Sequence, residues 1–202
     1  MENDHNNAEN IVAFDPPKET VVKWLQLLFV CQIVSLVMTA LGMVASIGSI
    51  IGWLSRAVSV AVIVALFKLA VANERYRKAA IFHSISVGGN IISALTGTNI
   101  LGIVFSVCSI IASYQQLTAH AEITAPKNTK LAGKWTSLFY CQLVVGLLSG
   151  FVSSAGVVIA VLADIDPDSI VSAALIFISL INVTLGLFHV LYLKQTLALY
   201  ME

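Results

Sequence analysis

Charge is what this sequence has least of. Asp, Glu, Lys and Arg make up 11% of its 202 residues, against about 25% in an average soluble domain. So few charges cannot cover a soluble surface. Eleven basic residues balance eleven acidic ones, leaving no excess positive charge to meet phosphates, so nucleic acid is not an expected partner. The three cysteines, Cys31, Cys108 and Cys141, lie in apolar runs, with no Cys-x-x-Cys and no Cys/His cluster at zinc spacing. Neither a disulfide framework nor a metal site is expected. HExxH, GxSxG, a glycine-rich phosphate loop and paired acids within an apolar run are also missing. The chain therefore offers no catalytic residue and no cofactor site by motif, and a non-enzymatic role is expected.

A cleavable signal peptide is missing too. Met1 to Thr20 is polar and acidic, has no basic start and breaks at Pro16-Pro17. It reads as a short cytoplasmic tail of residues 1–20 ahead of one membrane domain, 21–202.

What is abundant is hydrophobicity, at 58% of residues and a mean hydropathy of +0.90. A spanning helix needs about 20 mostly apolar residues, because the hydrocarbon core is about 30 Å thick. Six runs qualify, at roughly 23–46, 50–72, 79–96, 100–119, 135–162 and 170–193. They are continuous rather than alternating, which excludes a barrel. The expected fold is all-α, a polytopic membrane protein of six transmembrane helices in three hairpins (about 21–73, 79–120 and 134–193). The third span is short, and the fifth is long enough to require tilt.

Basic residues set the orientation. With the N-terminus cytoplasmic, Lys18, Lys23, Lys68, Arg75, Arg77, Lys78, Lys127, Lys130, Lys134 and Lys194 all lie inside, and only Arg56 lies outside. Both termini are then cytoplasmic. Basic loops and the lack of a transit peptide favour a bacterial plasma membrane. Trp24 and Trp135 fall at the inner interface and Trp53 at the outer one, where amphipathic rings suit headgroup anchors. The acidic outer loop carries Asp164, Asp166 and Asp168. Their spacing resembles the start of an EF-hand loop, but Ser169 and Leu175 stand where glycine and glutamate are required. An ordinary acidic loop is expected, with Asp168 or Ser169 capping the sixth helix.

An internal repeat links the first and fifth spans. Leu28-Phe29-Val30-Cys31-Gln32-Ile33-Val34 aligns without a gap onto Leu138-Phe139-Tyr140-Cys141-Gln142-Leu143-Val144. Cysteine and glutamine are scarce here, so their pairing at one depth twice carries more weight than the apolar matches. Ile81-Phe82-His83-Ser84 opens the middle hairpin in the same way.

Polar side chains at membrane depth must find a partner or water. His83 and Asn90 in the third span, and Asn182 and His189 in the sixth, are each seven residues apart, hence on one face. Gln32 and Gln142 add two amides. These six residues are the candidate polar pocket. Hydrogen-bond glue between helices, worth about 0.6 kcal/mol per contact, is the reading expected ahead of a cavity. Gly48 with Gly52, Gly146 with Gly150, and Gly89 with Ser93 are spaced for close helix approach.

Two function classes follow. One is an accessory or scaffold protein that binds another membrane protein, or a second copy of itself, through its helix faces within the lipid bilayer. The other is a small-solute binding or transport component using Gln32, His83, Asn90, Gln142, Asn182 and His189. The lack of a charged group at mid-depth inclines the sequence toward the first. Convergence of the six side chains on one cavity would favour the second.

Overall fold

The computed structural model describes the backbone of residues 18–42, 48–97, 102–162 and 167–202. The polar tail ahead of Lys18 and the start of the acidic outer loop, Asp164 and Asp166 included, lie outside the described residues. Six helices account for nearly all of the described chain: α1 (Lys18–Gly42), α2 (Gly48–Leu69), α3 (Glu74–Thr96), α4 (Gly102–Thr124), α5 (Thr129–Leu162) and α6 (Pro167–Met201). All six are long and apolar enough to cross a membrane.

The helices run past the apolar runs that mark them, mainly at one end. Hydropathy locates the hydrocarbon slab, whereas the backbone hydrogen-bond ladder continues into polar flanks. Thus α3 starts at Glu74 rather than at 79, α4 ends at Thr124 rather than at 119, and α6 ends at Met201 rather than at 193. At 23 residues α3 is not short. At 35 residues α6 is as long as α5. Residues Lys18 to Thr20 belong to α1, not to the tail.

Local chemistry explains the ends. Asn73 caps α3, its side chain accepting from the Arg75 amide at 2.8 Å. Asn128 accepts from the Leu131 amide at 3.0 Å just ahead of α5. Gly97 ends α3 at φ 68°, a left-handed conformation that glycine adopts without a Cβ penalty. α6 begins at Pro167, where the missing amide hydrogen costs nothing. The helix therefore starts ahead of Asp168 and Ser169, the residues expected to cap it.

Each helix packs against the next in the chain, and α6 packs against α1, so the six close into a ring. Lys18, Asn73, Lys127 and Tyr200 line one depression, which brings the start of α1, both even-to-odd connections and the end of α6 to a common end. This is the basic end. Arg75 joins Glu122 at 2.7 Å, and Asn73 donates to the same carboxylate at 2.9 Å. Lys127 donates to the Leu199 carbonyl at 2.8 Å, a cation on a helix C-terminus.

The described core is weighted toward the basic end. Among the described residues, buried side chains run no further from that end than Cys31 in α1, Ala65 in α2, Gly89 in α3, Cys108 in α4, Val145 in α5 and Ile178 in α6. Outward faces carry exposed Val37, Val64, Ile92, Ile103 and Leu147, a surface suited to acyl chains rather than water. Two close helix approaches depend on glycine. The Phe105 ring of α4 lies directly on Gly89, and a Cβ on Gly186 would stand 2.8 Å from Leu36 of α1. Gly146 and Gly150 make no such approach, a Cβ on either meeting nothing within 4 Å.

Candidate functional site

A ring of six helices encloses a lumen, and at mid-height its walls are polar. Gln32 and Ser35 of α1 stand three residues apart and face inward with Leu28. Ser59 and Val62 come from α2, and His83 from α3. α4 contributes Ser113 and Gln116, α5 contributes Gln142, and α6 contributes His189 and Leu193. The cavity they line measures about 250 Å³.

Every helix therefore sends at least one polar side chain into one space. Across the ring α4 also touches α6. His83 Nε2 meets Gln116 Oε1 at 3.2 Å. With the amide oxygen accepting, that nitrogen carries the hydrogen. None of the lining residues is an acid, a lysine or an arginine. Among the described residues no group of three or more His, Cys, Asp or Glu is placed to hold a metal ion.

Toward the basic end the lumen is plugged. Trp135 is fully buried and stacks on His120, with ring centroids 4.6 Å apart and planes at 25°. His189, in the cavity wall, meets the Trp135 ring edge-on at 5.3 Å. The Tyr76 hydroxyl reaches His120 Nδ1 at 2.7 Å. Trp135 Nε1 donates to Thr196 Oγ1 at 3.0 Å, and Thr196 in turn meets Thr124 at 3.5 Å. Tyr76, His120, Thr124, Trp135 and Thr196 are all buried from α3, α4, α5 and α6.

Trp135 is thus not the headgroup anchor expected of it. Its neighbours in the helix repeat face the core, so the ring follows them inward and its N–H finds a threonine there. Trp24 is half-buried and packs against the core, and Trp53 is exposed with Arg56 over its ring at 4.7 Å.

Of the six residues singled out by sequence, Gln32, His83, Gln142 and His189 line the cavity. Asn90 and Asn182 do not. Both are exposed and stand two turns further from the basic end than the histidines. The two cysteines of the repeat also part company, Cys31 being buried and Cys141 exposed.

Sequence reasoning missed Ser35, Ser59, Ser113 and Gln116, and His120 in the plug. A signal was present on α4. Ser109, Ser113, Gln116, His120 and Thr124 recur at steps of four, three, four and four residues, a polar stripe down one helical face. Ending that span at 119 left His120 outside it. No family model, no curated protein and no solved structure matches the chain, so its chemistry is read from the cavity itself.

Proposed function

We propose that this protein binds a small, uncharged, hydrogen-bonding solute within its helix ring, as a non-enzymatic binding or transport component of a bacterial plasma membrane. The observation that carries the reading is convergence: all six helices turn polar side chains into one cavity. Amides and hydroxyls each donate and accept, and an imidazole does one of each. Such a lining suits a ligand rich in hydroxyl, amide or ring nitrogen groups. A charged ligand would lose its hydration without meeting an opposite charge, which is costly.

In this proposal the helices form three hairpins with both termini cytoplasmic, since ten of the eleven basic residues belong to the basic end. The Trp135–His120 plug then closes the cavity toward the cytoplasm, and the solute arrives from the other side. The accessory reading leaned on the lack of a charged group at mid-depth, which an uncharged solute does not need, and on outward apolar faces, which acyl chains cover as well as a partner helix does. Nothing in those faces favours it over a solute.

Native mass spectrometry of the gently extracted protein tests the proposal. The expected result is a reproducible small-molecule adduct that disappears when Gln32→Leu and Gln142→Leu are combined. A co-purifying membrane protein with no adduct would overturn it in favour of the accessory role.

A further inference from the structure

On its α4–α5 side the cavity shares walls with two further spaces. Ser113 and Gln142, two of its lining residues, also line a small space of about 80 Å³ that adds Ser109, Phe139 and Leu143. Ser109, Gln142 and Leu143 in turn line a third space of about 280 Å³, which reaches Gly146 and Leu147. The three volumes share walls in sequence along α4 and α5, from the cavity to the exposed Leu147. Leu147 and Ile110, at the outer end, are exposed to 62% and 42%.

The gap between α4 and α5 exists because α5 has no side chain at Gly146, where an added Cβ would meet nothing within 4 Å. Its two walls differ. α4 supplies Ser106, Ser109 and Ser113 at helical spacing, and Ser106 returns its hydroxyl to the Gly102 carbonyl at 2.9 Å. That bond satisfies the outermost serine within its own helix. Ile110 is the apolar member of that α4 wall, and α5 supplies Phe139, Leu143 and Leu147 together with Gln142. Polarity therefore falls from the lumen outward, until the channel opens on a face suited to acyl chains. A wholly polar solute would gain nothing from such a groove.

We infer that the ligand is a single-chain amphiphile with an uncharged polar head, taken sideways from the bilayer through the α4–α5 gap. This rests on the proposed solute site and deepens it. The head occupies the polar cavity beside Gln142 and Gln116, and the chain lies along Leu143 and Leu147 toward the lipid. Hydroxyl or amide heads fit the lining, whereas phosphate and carboxylate heads would enter it without a counter-charge.

Monoolein, with a glycerol head and one acyl chain, is the probe, and xylitol is the polar control without a chain. Native mass spectrometry of the full chain in detergent compares the wild type with Gly146→Trp, which fills the groove, and Gln142→Leu, which strips the head site. Leu148→Trp adds the same bulk to an exposed neighbouring position, and matching unfolding temperatures verify that each variant is folded. The expected result is a monoolein adduct on the wild type and Leu148→Trp, lost in both Gly146→Trp and Gln142→Leu. Retention in Gly146→Trp would overturn the inference. So would equal loss of phosphatidylcholine from that variant, since the groove would then hold only a bulk acyl chain. Xylitol bound without monoolein would overturn the amphiphile and leave the proposed solute site standing. If neither probe is retained, both readings fail for ligands of this class.

Discussion

Trp135 of α5 lies flat against His120 of α4, ring centroids 4.6 Å apart, and bonds through Nε1 to Thr196 of α6. One side chain thereby ties three consecutive helices together beneath the cavity. Removing it with Trp135→Ala should cost about 3 kcal/mol, as truncating a fully buried aromatic does. Trp135→Phe keeps most of the ring packing and loses the hydrogen bond, for about 1 kcal/mol. Reversible denaturation in detergent should rank the two in that order.

Gly89 carries the α3–α4 contact. Since the Phe105 ring occupies the place of its Cβ, Gly89→Ala should destabilise by about 1–3 kcal/mol through overpacking. Adding Phe105→Ala should return part of that loss, so the two changes together should cost less than their sum. Strict additivity in the double-mutant cycle would mean that the two residues do not touch.

Depth within the ring should separate the polar residues by consequence. Gln116→Leu removes the partner of His83 and a wall of the cavity, so the small-molecule adduct should be lost or weakened. Asn90→Leu alters an exposed side chain outside the cavity lining and should leave the adduct unchanged. Equal loss in both would place the binding site higher than the cavity described.

Membrane sidedness is testable with single cysteines, after Cys31, Cys108 and Cys141 have been replaced by alanine. Asp166→Cys should react with an impermeant maleimide on intact cells, and Asn128→Cys only after permeabilisation. The opposite pattern would invert the orientation proposed from the basic residues.

The Arg75–Glu122 pair, 34% and 44% exposed, should contribute little. Arg75→Ala is expected to cost no more than about 1 kcal/mol, because exposed ion pairs are solvated and screened. The difference from wild type should shrink further as salt is raised. A larger, salt-insensitive loss would point to the Arg75 bond to Gln115, 3.0 Å long, as the more important contact.

How much of this was legible in the sequence varies by level. The six spans follow from hydropathy alone, because lipid imposes a minimum apolar length on each helix. The ends did not, since helices continue beyond the slab: His120 and Thr196, both central to the plug, fell outside the runs read as spans. Gln32, His83, Gln142 and His189 were found because polar side chains in lipid are conspicuous. Serines were not, because a serine can return its hydroxyl to its own helix, as Ser84 does to Ala80, and so passes as neutral. Asn90 and Asn182 share a helical face with the two histidines, but periodicity gives direction and not packing. Whether a face is covered depends on how far along the bundle the neighbouring helices stay in contact. Trp135 misled for the same reason, since a tryptophan after a lysine signals an interface only if no neighbouring helix claims the ring.

Closure of the ring through α6 and α1 also bears on how the protein is made. Helices enter the membrane in the order of synthesis, and of these six α6 follows the other five. Until it docks, Gln32 on α1 and Gln142 on α5 have an open side where the sixth wall will stand. A chain stalled or cut before α6 holds its amides against a gap, a costly arrangement in hydrocarbon. The sixth helix thus converts an unfavourable half-ring into a finished one, and truncated products should be unstable in the membrane.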